Sequence, residues 1–303
     1  MDADRNFKPF RWDLSKREQL PLVPLSSMAV FRYWPQVKYS PDFDSELRIC
    51  AARVIAAAGD TDWVFVGRSP EHLFDYLSGI FASVPKAPSL THLLFSLRYG
   101  GSARSTAANN PVAMAALASY FAAEKLHPGA IATRERGVTF IDVVDSGTTF
   151  RNLIECLKLW NNRHKGDWNA VQRRLRFIGL TPRKKTSPNT WRWQQHQDWL
   201  AWVPDATVKN VSVPVWVFQW MGGSLPKLTP SHTVDRWALL RGGGPPRNDE
   251  QLAAVHLACR LYDLGRSREE RLALSAEIAK LPGMRDPWLR TVVLKLRKRS
   301  KRS

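Results

Sequence analysis

The positions of apolar and polar residues along the chain predict an alternation of helices and strands. Helical spacing of apolar residues marks four segments, Asp44–Ala58, Glu71–Phe81, Pro111–Lys125 and Thr149–Trp160. Short apolar runs lie among them and are typical of strands buried on both faces. These runs are Trp63–Gly67, His92–Leu97, Val138–Val144, Leu175–Leu180 and Val213–Trp220. A polar, glycine-bearing stretch, Arg98–Asn110, is expected to be a loop.

This alternation predicts an α/β fold with an open, mainly parallel sheet flanked by helices. We divide the chain into an irregular N-terminal segment (residues 1–43, with one candidate strand at Met28–Tyr33), an α/β domain (44–230) and a helical C-terminal extension (231–303). The extension contains a linker, Gly242–Pro246, and a basic tail. Its three predicted helices are Asp249–Gly265, Arg268–Lys280 and Asp286–Arg297.

Composition narrows the class of protein. A hydrophobic content of 44% in 303 residues supports a folded core. No apolar run is long enough to cross a bilayer, and residues 1–10 lack the apolar centre of a signal peptide. The cysteines Cys50, Cys156 and Cys259 are widely separated, which favours buried free thiols over disulfides or metal ligands. A cytoplasmic protein that does not bind membranes is therefore expected.

The charge of the chain favours polyanionic partners. The formal net charge is +18, and part of it is concentrated in the tail Leu294–Ser303. Nucleic acid and small ligands rich in phosphate are both compatible with this balance. The charge does not choose between them.

Residues 138–150 predict a strand, a phosphate-binding loop and the start of a helix. Ser146, Gly147, Thr148 and Thr149 follow the apolar strand and lead directly into the helical pattern. Backbone N–H groups, hydroxyls and the helix N-terminus would converge there on an anion. The alternative is that Asp145 or Ser146 merely caps the helix.

This segment resembles the PRPP-binding motif of type I phosphoribosyltransferases, with the purine-salvage (hypoxanthine-guanine) members as the nearest type. The resemblance implies that Ser146, Gly147, Thr148 and Thr149 bind the 5′-phosphate and that Asp142 binds ribose hydroxyls. It also implies that Asp145 is the catalytic base. Asp142 matches the second of the family's paired acids, but the first is Ile141 here, so one ribose contact is missing or comes from another residue.

The resemblance extends by order of segments to about residues 44–220. It implies that Arg68 and Ser69, after the first strand, bind pyrophosphate, and that Arg98 and Arg104 belong to a lid that closes over it. A turn and a surface loop are the alternative interpretations. Four tryptophans in the acceptor region could stack on a ring or belong to the core, and the core is favoured: Trp191, Trp193, Trp199 and Trp202.

Two functions follow from the resemblance. The favoured one is an enzyme of nucleotide metabolism, a glycosyltransferase that moves ribosyl phosphate from PRPP to a non-standard acceptor and releases pyrophosphate. Mg²⁺ would be held by oxygens of the ligand and by water, with Asp142 as a candidate protein ligand. The alternative is a non-catalytic regulatory protein of the same fold that binds nucleic acid through its basic surface. A protein-interaction role for the C-terminal helices and a homodimer both stay open.

Overall fold

The computed structural model describes residues 9–22, 41–97, 101–183, 193–231, 233–234 and 248–298. The predicted strand Met28–Tyr33, the linker Gly242–Pro246 and the last residues of the basic tail lie outside these ranges. Within them the predicted fold class is confirmed, because an all-parallel sheet is flanked by helices on both faces.

The strands are β1 (Thr61–Val66), β2 (Leu90–Leu93), β3 (Gly137–Val143), β4 (Leu175–Pro182) and β5 (Thr207–Val213). The helices before β4 are α1 (Pro41–Ala58), α2 (Glu71–Phe81), α3 (Ala103–Asn109), α4 (Pro111–Ala123), α5 (Pro128–Ala132), α6 (Thr148–Arg163) and α7 (Trp168–Gln172). Those after β5 are α8 (Val215–Gln219), α9 (Asp249–Arg266), α10 (Arg268–Ala279) and α11 (Pro287–Arg297). Short 3₁₀ turns occupy Arg17–Gln19, Trp193–His196, Asp198–Trp202 and Pro282–Arg285, and Trp220–Ser224 forms a π turn.

The strand order in the sheet is β2-β1-β3-β4-β5. The chain moves outwards from β1 to β2, then returns to the other side of β1 with β3, so the direction of winding changes between β1 and β3. In open parallel sheets a crevice forms at such a change, beyond the carboxyl ends of the strands. The topology therefore places a ligand crevice at the ends of β1 and β3.

Side chains of each strand alternate between two apolar layers because successive residues of a strand point to opposite faces. Trp63 and Phe65 of β1 face the layer that contains α1 and α2. Val64 and Val66 face the layer that contains α4 and α6. Both faces are thus covered, which explains why the strands appear in the sequence as continuous apolar runs.

The C-terminal helices complete the first of these layers. Leu257, Leu261, Leu274 and Ile278 are almost fully buried in the same cluster as α1 and α2. Glu270 accepts hydrogen bonds from Arg48 Nε (2.7 Å) and from the hydroxyl of Tyr76 (2.6 Å). The boundary at residue 231 stays a prediction, but the helices beyond it share a core with the α/β part.

Helices α2 and α9 approach each other closely at two glycines. A Cβ atom on Gly79 would lie 2.0 Å from the carbonyl oxygen of Tyr262. A Cβ atom on Gly265 would lie 2.3 Å from the carbonyl oxygen of Tyr76. Backbone contact at these distances leaves no space for a side chain at either position. The close approach of α2 and α9 therefore requires glycine at both positions.

Three predictions about elements are corrected. The apolar run 213–220 is not a strand: β5 ends at Val213, and α8 begins after Pro214, whose fixed φ suits a helix start. The stretch 98–110 is not simply a loop, because its described part forms α3. Helix α1 begins at Pro41, within the segment predicted to be irregular.

The second strand is also shorter than predicted. It ends at Leu93, where the N–H of Phe95 donates to the Leu93 carbonyl (2.8 Å) in a tight turn. No helix in the part of the chain that the structure describes has the length and apolar character needed to span a membrane.

Candidate functional site

A cleft of about 710 Å³ lies at the carboxyl ends of β1, β2 and β3, where the topology predicts a crevice. The turn after β1 contributes Arg68 and Ser69 to its wall. The end of β3 contributes Asp142, and the first turns of α6 contribute Thr148, Thr149 and Asn152. Leu225, Lys227 and Ser231 enter it from the segment after the π turn.

The predicted strand–loop–helix of residues 138–150 is confirmed as a local structure. Gly147 has φ +80°, in the left-handed region, and is the residue from which α6 starts. The hydroxyls of Ser146 and Thr148 are 2.9 Å apart. Thr148 and Thr149 face the cleft, whereas Ser146 and Gly147 do not line it. The N-terminus of the 16-residue helix α6 is therefore directed at the cleft.

Trp193 supports this loop from the side. A Cβ atom on Gly147 would lie 2.7 Å from the ring of Trp193, and one on Gly179 would lie 2.7 Å from its indole nitrogen. The same nitrogen donates to Asn210 Oδ1 (2.7 Å). Gln197 Nε2 donates to the carbonyl of Ser146 (2.8 Å). The Trp193 ring thus packs against residues 147 and 179 at distances that only glycine permits.

The acceptor-region tryptophans divide between two environments. Trp193 and Trp199 are buried and stack on each other with ring centres 5.9 Å apart, so they belong to the core. Trp202 is half-buried and lines a different pocket. Trp191 lies outside the described residues. None of the three described rings lines the 710 Å³ cleft.

Of the two predicted acids, Asp142 and Asp145, only Asp142 lines the cleft, and Glu250 from the first turn of α9 lines it too. The carboxyl of Asp142 is buried, and this desolvation raises its pKa to about 8, although Val143 N–H (2.7 Å) and the Thr149 hydroxyl donate to it. The group is consequently neutral over most of the range below pH 8. Ile141 points to the opposite layer and is fully buried beside Phe65, so it offers no polar contact to a ligand.

The other predicted site residues fall into four groups. Arg68 and Ser69 line the cleft together with Asp142. Asp145 is exposed and does not line it. Arg104 points elsewhere: it lines a separate pocket of about 370 Å³ on α6, because α3 turns its side chain away from the cleft. Arg98 lies outside the described residues.

Lys227 is a cleft residue that the sequence did not indicate. Only 7% of it is exposed. Its ammonium group donates to the carbonyls of Met221 (2.5 Å) and Ser69 (3.3 Å) and lies 3.3 Å from His72 Nδ1. Burial lowers the pKa of Lys227 to about 8, so the group is still charged at neutral pH. A buried positive charge therefore lies directly behind the turn that carries Arg68.

Glu71 and His72, the first residues of α2, attach the Lys227 segment to this turn. Glu71 accepts from the backbone N–H of Leu228 (2.7 Å) and from the hydroxyl of Thr229 (2.6 Å). Burial lowers the pKa of His72 well below its usual value, so the ring is neutral. Its Nε2–H then donates to the carbonyl of Pro226 (3.1 Å), and Nδ1 accepts from Lys227.

No local pattern could have identified these contacts, because they join residues more than 150 positions apart. Within the described ranges, no group of three or more His, Cys, Asp and Glu side chains is arranged to hold a metal ion. Comparison of the sequence with protein-family models and with curated proteins gives no match. The functional proposal therefore rests on the fold, the cleft and the motif.

Proposed function

We propose that the cleft binds PRPP and that the chain transfers its ribosyl phosphate group to a non-standard acceptor, with release of pyrophosphate. One observation carries the proposal: Arg68 and Ser69 on one side, and Thr148 and Thr149 on the other, line the same cleft, with Asp142 beside them. A ligand with phosphate groups at both ends and a sugar in the middle fits this arrangement.

The two ends of the cleft suit anions for different reasons. At α6, the N-terminal N–H groups and the threonine hydroxyls are directed at the ligand. At β1, Arg68 offers a planar set of donors, and the buried charge of Lys227 lies behind it. Arg68 Nε is buried with no hydrogen-bond partner among the described residues, and an anion here would supply one.

The middle of the cleft suits a sugar. Neutral Asp142 can both donate to and accept from a hydroxyl group, and it does not repel the adjacent phosphates. Asn152, which is buried and lines the cleft, offers a further donor and acceptor. In this proposal Asn152 replaces the contact that Ile141 cannot make. Mg²⁺ would be bound by pyrophosphate oxygens and water.

Calorimetry with PRPP, with and without Mg²⁺, tests the binding step. The double substitution Thr148→Val and Thr149→Val removes two hydroxyls that face the cleft, and we expect the affinity for PRPP to fall at least about tenfold, since hydrogen bonds to charged groups contribute about 1.5–3 kcal/mol each. Thr133→Val is the matched control, because this exposed threonine at the end of α5 lies outside the cleft. Absence of PRPP binding by the wild-type protein would reject the proposal.

Pyrophosphate release tests the transfer step. Wild-type protein is incubated with PRPP, Mg²⁺ and a panel of amines, nucleobases and hydroxyl compounds. Release that depends on the acceptor and is lost in Asp145→Asn, with PRPP binding retained, supports the enzyme and its assigned base.

The second candidate is a non-catalytic PRPP-binding regulator. The exposure of Asp145 outside the cleft and the burial of Ile141 in the core favour it. Tight PRPP binding without pyrophosphate release from any acceptor would assign this function.

A further inference from the structure

The outer face of α6 carries a second concave surface, separate from the cleft. Arg151, Lys158, Leu159 and Asn162 follow one another at helical spacing along it. Arg104 of α3 and Trp202 face them across a pocket of about 370 Å³. We call this surface the α6 groove. No residue of the α6 groove lines the 710 Å³ cleft.

Positive charge dominates the groove. Arg104 has 80% of its side chain exposed, and Arg151 is also exposed. Glu155 is the carboxylate at this surface, and its Oε2 accepts from the N–H of Ala103 (2.8 Å), which caps α3. Its other oxygen is 3.8 Å from Nε of the exposed Arg104, a distance close to the limit for an ion pair. Two of the three cations, Arg151 and Lys158, have no carboxylate within ion-pair distance among the described residues.

Two indole rings hold Lys158 in place within this surface. Its ammonium group is 5.4 Å from the ring centre of Trp202 and 5.8 Å from that of Trp168. Trp168 Nε1 donates to the backbone carbonyl of Trp202 (2.8 Å), which links the Trp168 ring to the backbone of Trp202. The groove therefore combines a partly exposed aromatic surface with exposed guanidinium groups.

We propose that the α6 groove binds single-stranded nucleic acid. Arg104 and Arg151 suit the phosphates, and the apolar floor of Leu159 and Trp202 suits the face of one base. The volume of about 370 Å³ is that of a small-molecule site, which is appropriate for one nucleotide of a strand. A net charge of +18 adds long-range attraction for such a ligand. This binding is independent of PRPP binding in the cleft.

Fluorescence anisotropy with labelled 12-nucleotide RNA and DNA of mixed sequence tests the proposal on the full chain. We expect Arg104→Glu with Arg151→Glu to weaken binding at least about tenfold at low salt. The salt slope should decrease by about 1.4, since each phosphate contact to a single strand contributes about 0.7. Trp202→Leu should weaken binding about tenfold through lost stacking.

The matched control is Arg163→Glu with Arg173→Glu, which reverses the same number of charges at exposed positions outside the groove. It should change the affinity less than about threefold. Equal loss in both double variants would reduce the interaction to non-specific attraction and overturn the proposal. Three other results would also overturn the proposal. Binding could be lost only when residues 299–303 are removed, duplex could bind more tightly than single strands, or acidic peptides could bind in place of nucleic acid. The RNA and DNA arms show which strand is preferred.

Discussion

Asp142 and Lys227 are titratable side chains of the cleft. Burial shifts their pKa values towards each other. Burial favours the neutral form of each group, so it raises the pKa of Asp142 and lowers that of Lys227, both to about 8. Titration of either group changes the net charge of the cleft in the same direction. As pH rises through about 8, Asp142 gains a negative charge and Lys227 loses a positive one.

We therefore predict that affinity for PRPP falls steeply above about pH 8. Loss of two protons makes the cleft more negative by two charges, while the phosphates of the ligand are already ionised, with a second pKa of about 6. A plot of log affinity against pH from calorimetry should approach a slope of about −2 between pH 8 and 9.5. In Asp142→Asn the slope should approach about −1, since only Lys227 then titrates. An unchanged slope in that variant would exclude titration of Asp142.

The cleft residues that carry a local signal are predictable from the sequence. Thr148, Thr149 and Asp142 belong to one short motif, and Arg68 follows directly on a strand. Lys227 has no such signal, because it reaches the cleft through tertiary contacts of Glu71 and His72. The side on which Arg104 would lie was equally unpredictable, since it depends on the orientation of α3.

Helix α3 is an element whose position depends on one side chain of its neighbour. It is seven residues long, and isolated helices of this length are marginal in water. Ser102 caps it locally by accepting from Ser105 N–H (3.1 Å). Glu155 of α6 accepts from Ala103 N–H and so attaches its first turn to α6. Gly101, just before this turn, lines the cleft.

We predict that Glu155→Ala loosens α3 without unfolding the chain. Loss of this acceptor leaves the N–H of Ala103 unpaired, so amide hydrogen exchange within residues 103–109 should become at least about tenfold faster. Asp286→Ala is the control, because Asp286 accepts from Trp288 N–H (2.8 Å) and caps α11 at the other end of the chain. Its effect should be confined to α11. Unchanged exchange in α3 would show that Ser102 and packing hold the helix without Glu155.

Prediction at the element scale was accurate where one periodicity extended over many residues. Helix α2 has the predicted bounds, and α9 and α10 differ from prediction by one residue at an end. The run 213–220 differs from the prediction because a short apolar segment suits a buried strand and a short helix equally well. The stretch 98–110 was predicted to be a loop because its small polar residues lack an apolar period, whereas α3 forms through its cap and its contact with α6.

Apolar packing joins helices from the early part of the chain to helices from its last part. Helices α1 and α2 precede the loop between β3 and α6, and α9, α10 and α11 follow β5, yet all five contribute to one buried layer. The C-terminal helices were predicted to be an extension, and composition alone could not show how much of the core they complete. Their contribution becomes measurable when a single buried side chain is shortened.

We predict that Leu261→Ala lowers the free energy of unfolding by about 2–5 kcal/mol, the usual cost of a cavity in a core. Leu261 is fully buried between α9 and the layer formed by α1 and α2. Leu294→Ala, at a leucine that is 61% exposed, is the control and should change it by less than about 0.5 kcal/mol. Chemical denaturation followed by circular dichroism provides both values. Equal effects would mean that α9 is not part of the cooperative core.

The glycine contact between α2 and α9 also has a consequence for synthesis of the chain on the ribosome. Gly79 emerges far earlier than Gly265, so the face of α2 that receives α9 stays uncovered while most of the polypeptide is still being made. A domain whose core is completed only by a later segment of the chain exposes apolar surface during synthesis. Such a domain is a candidate for chaperone binding. The turn that carries Arg68 leads into α2, and Lys227 must pack behind it. A chain terminated early would consequently expose apolar surface, and its cleft would be incomplete.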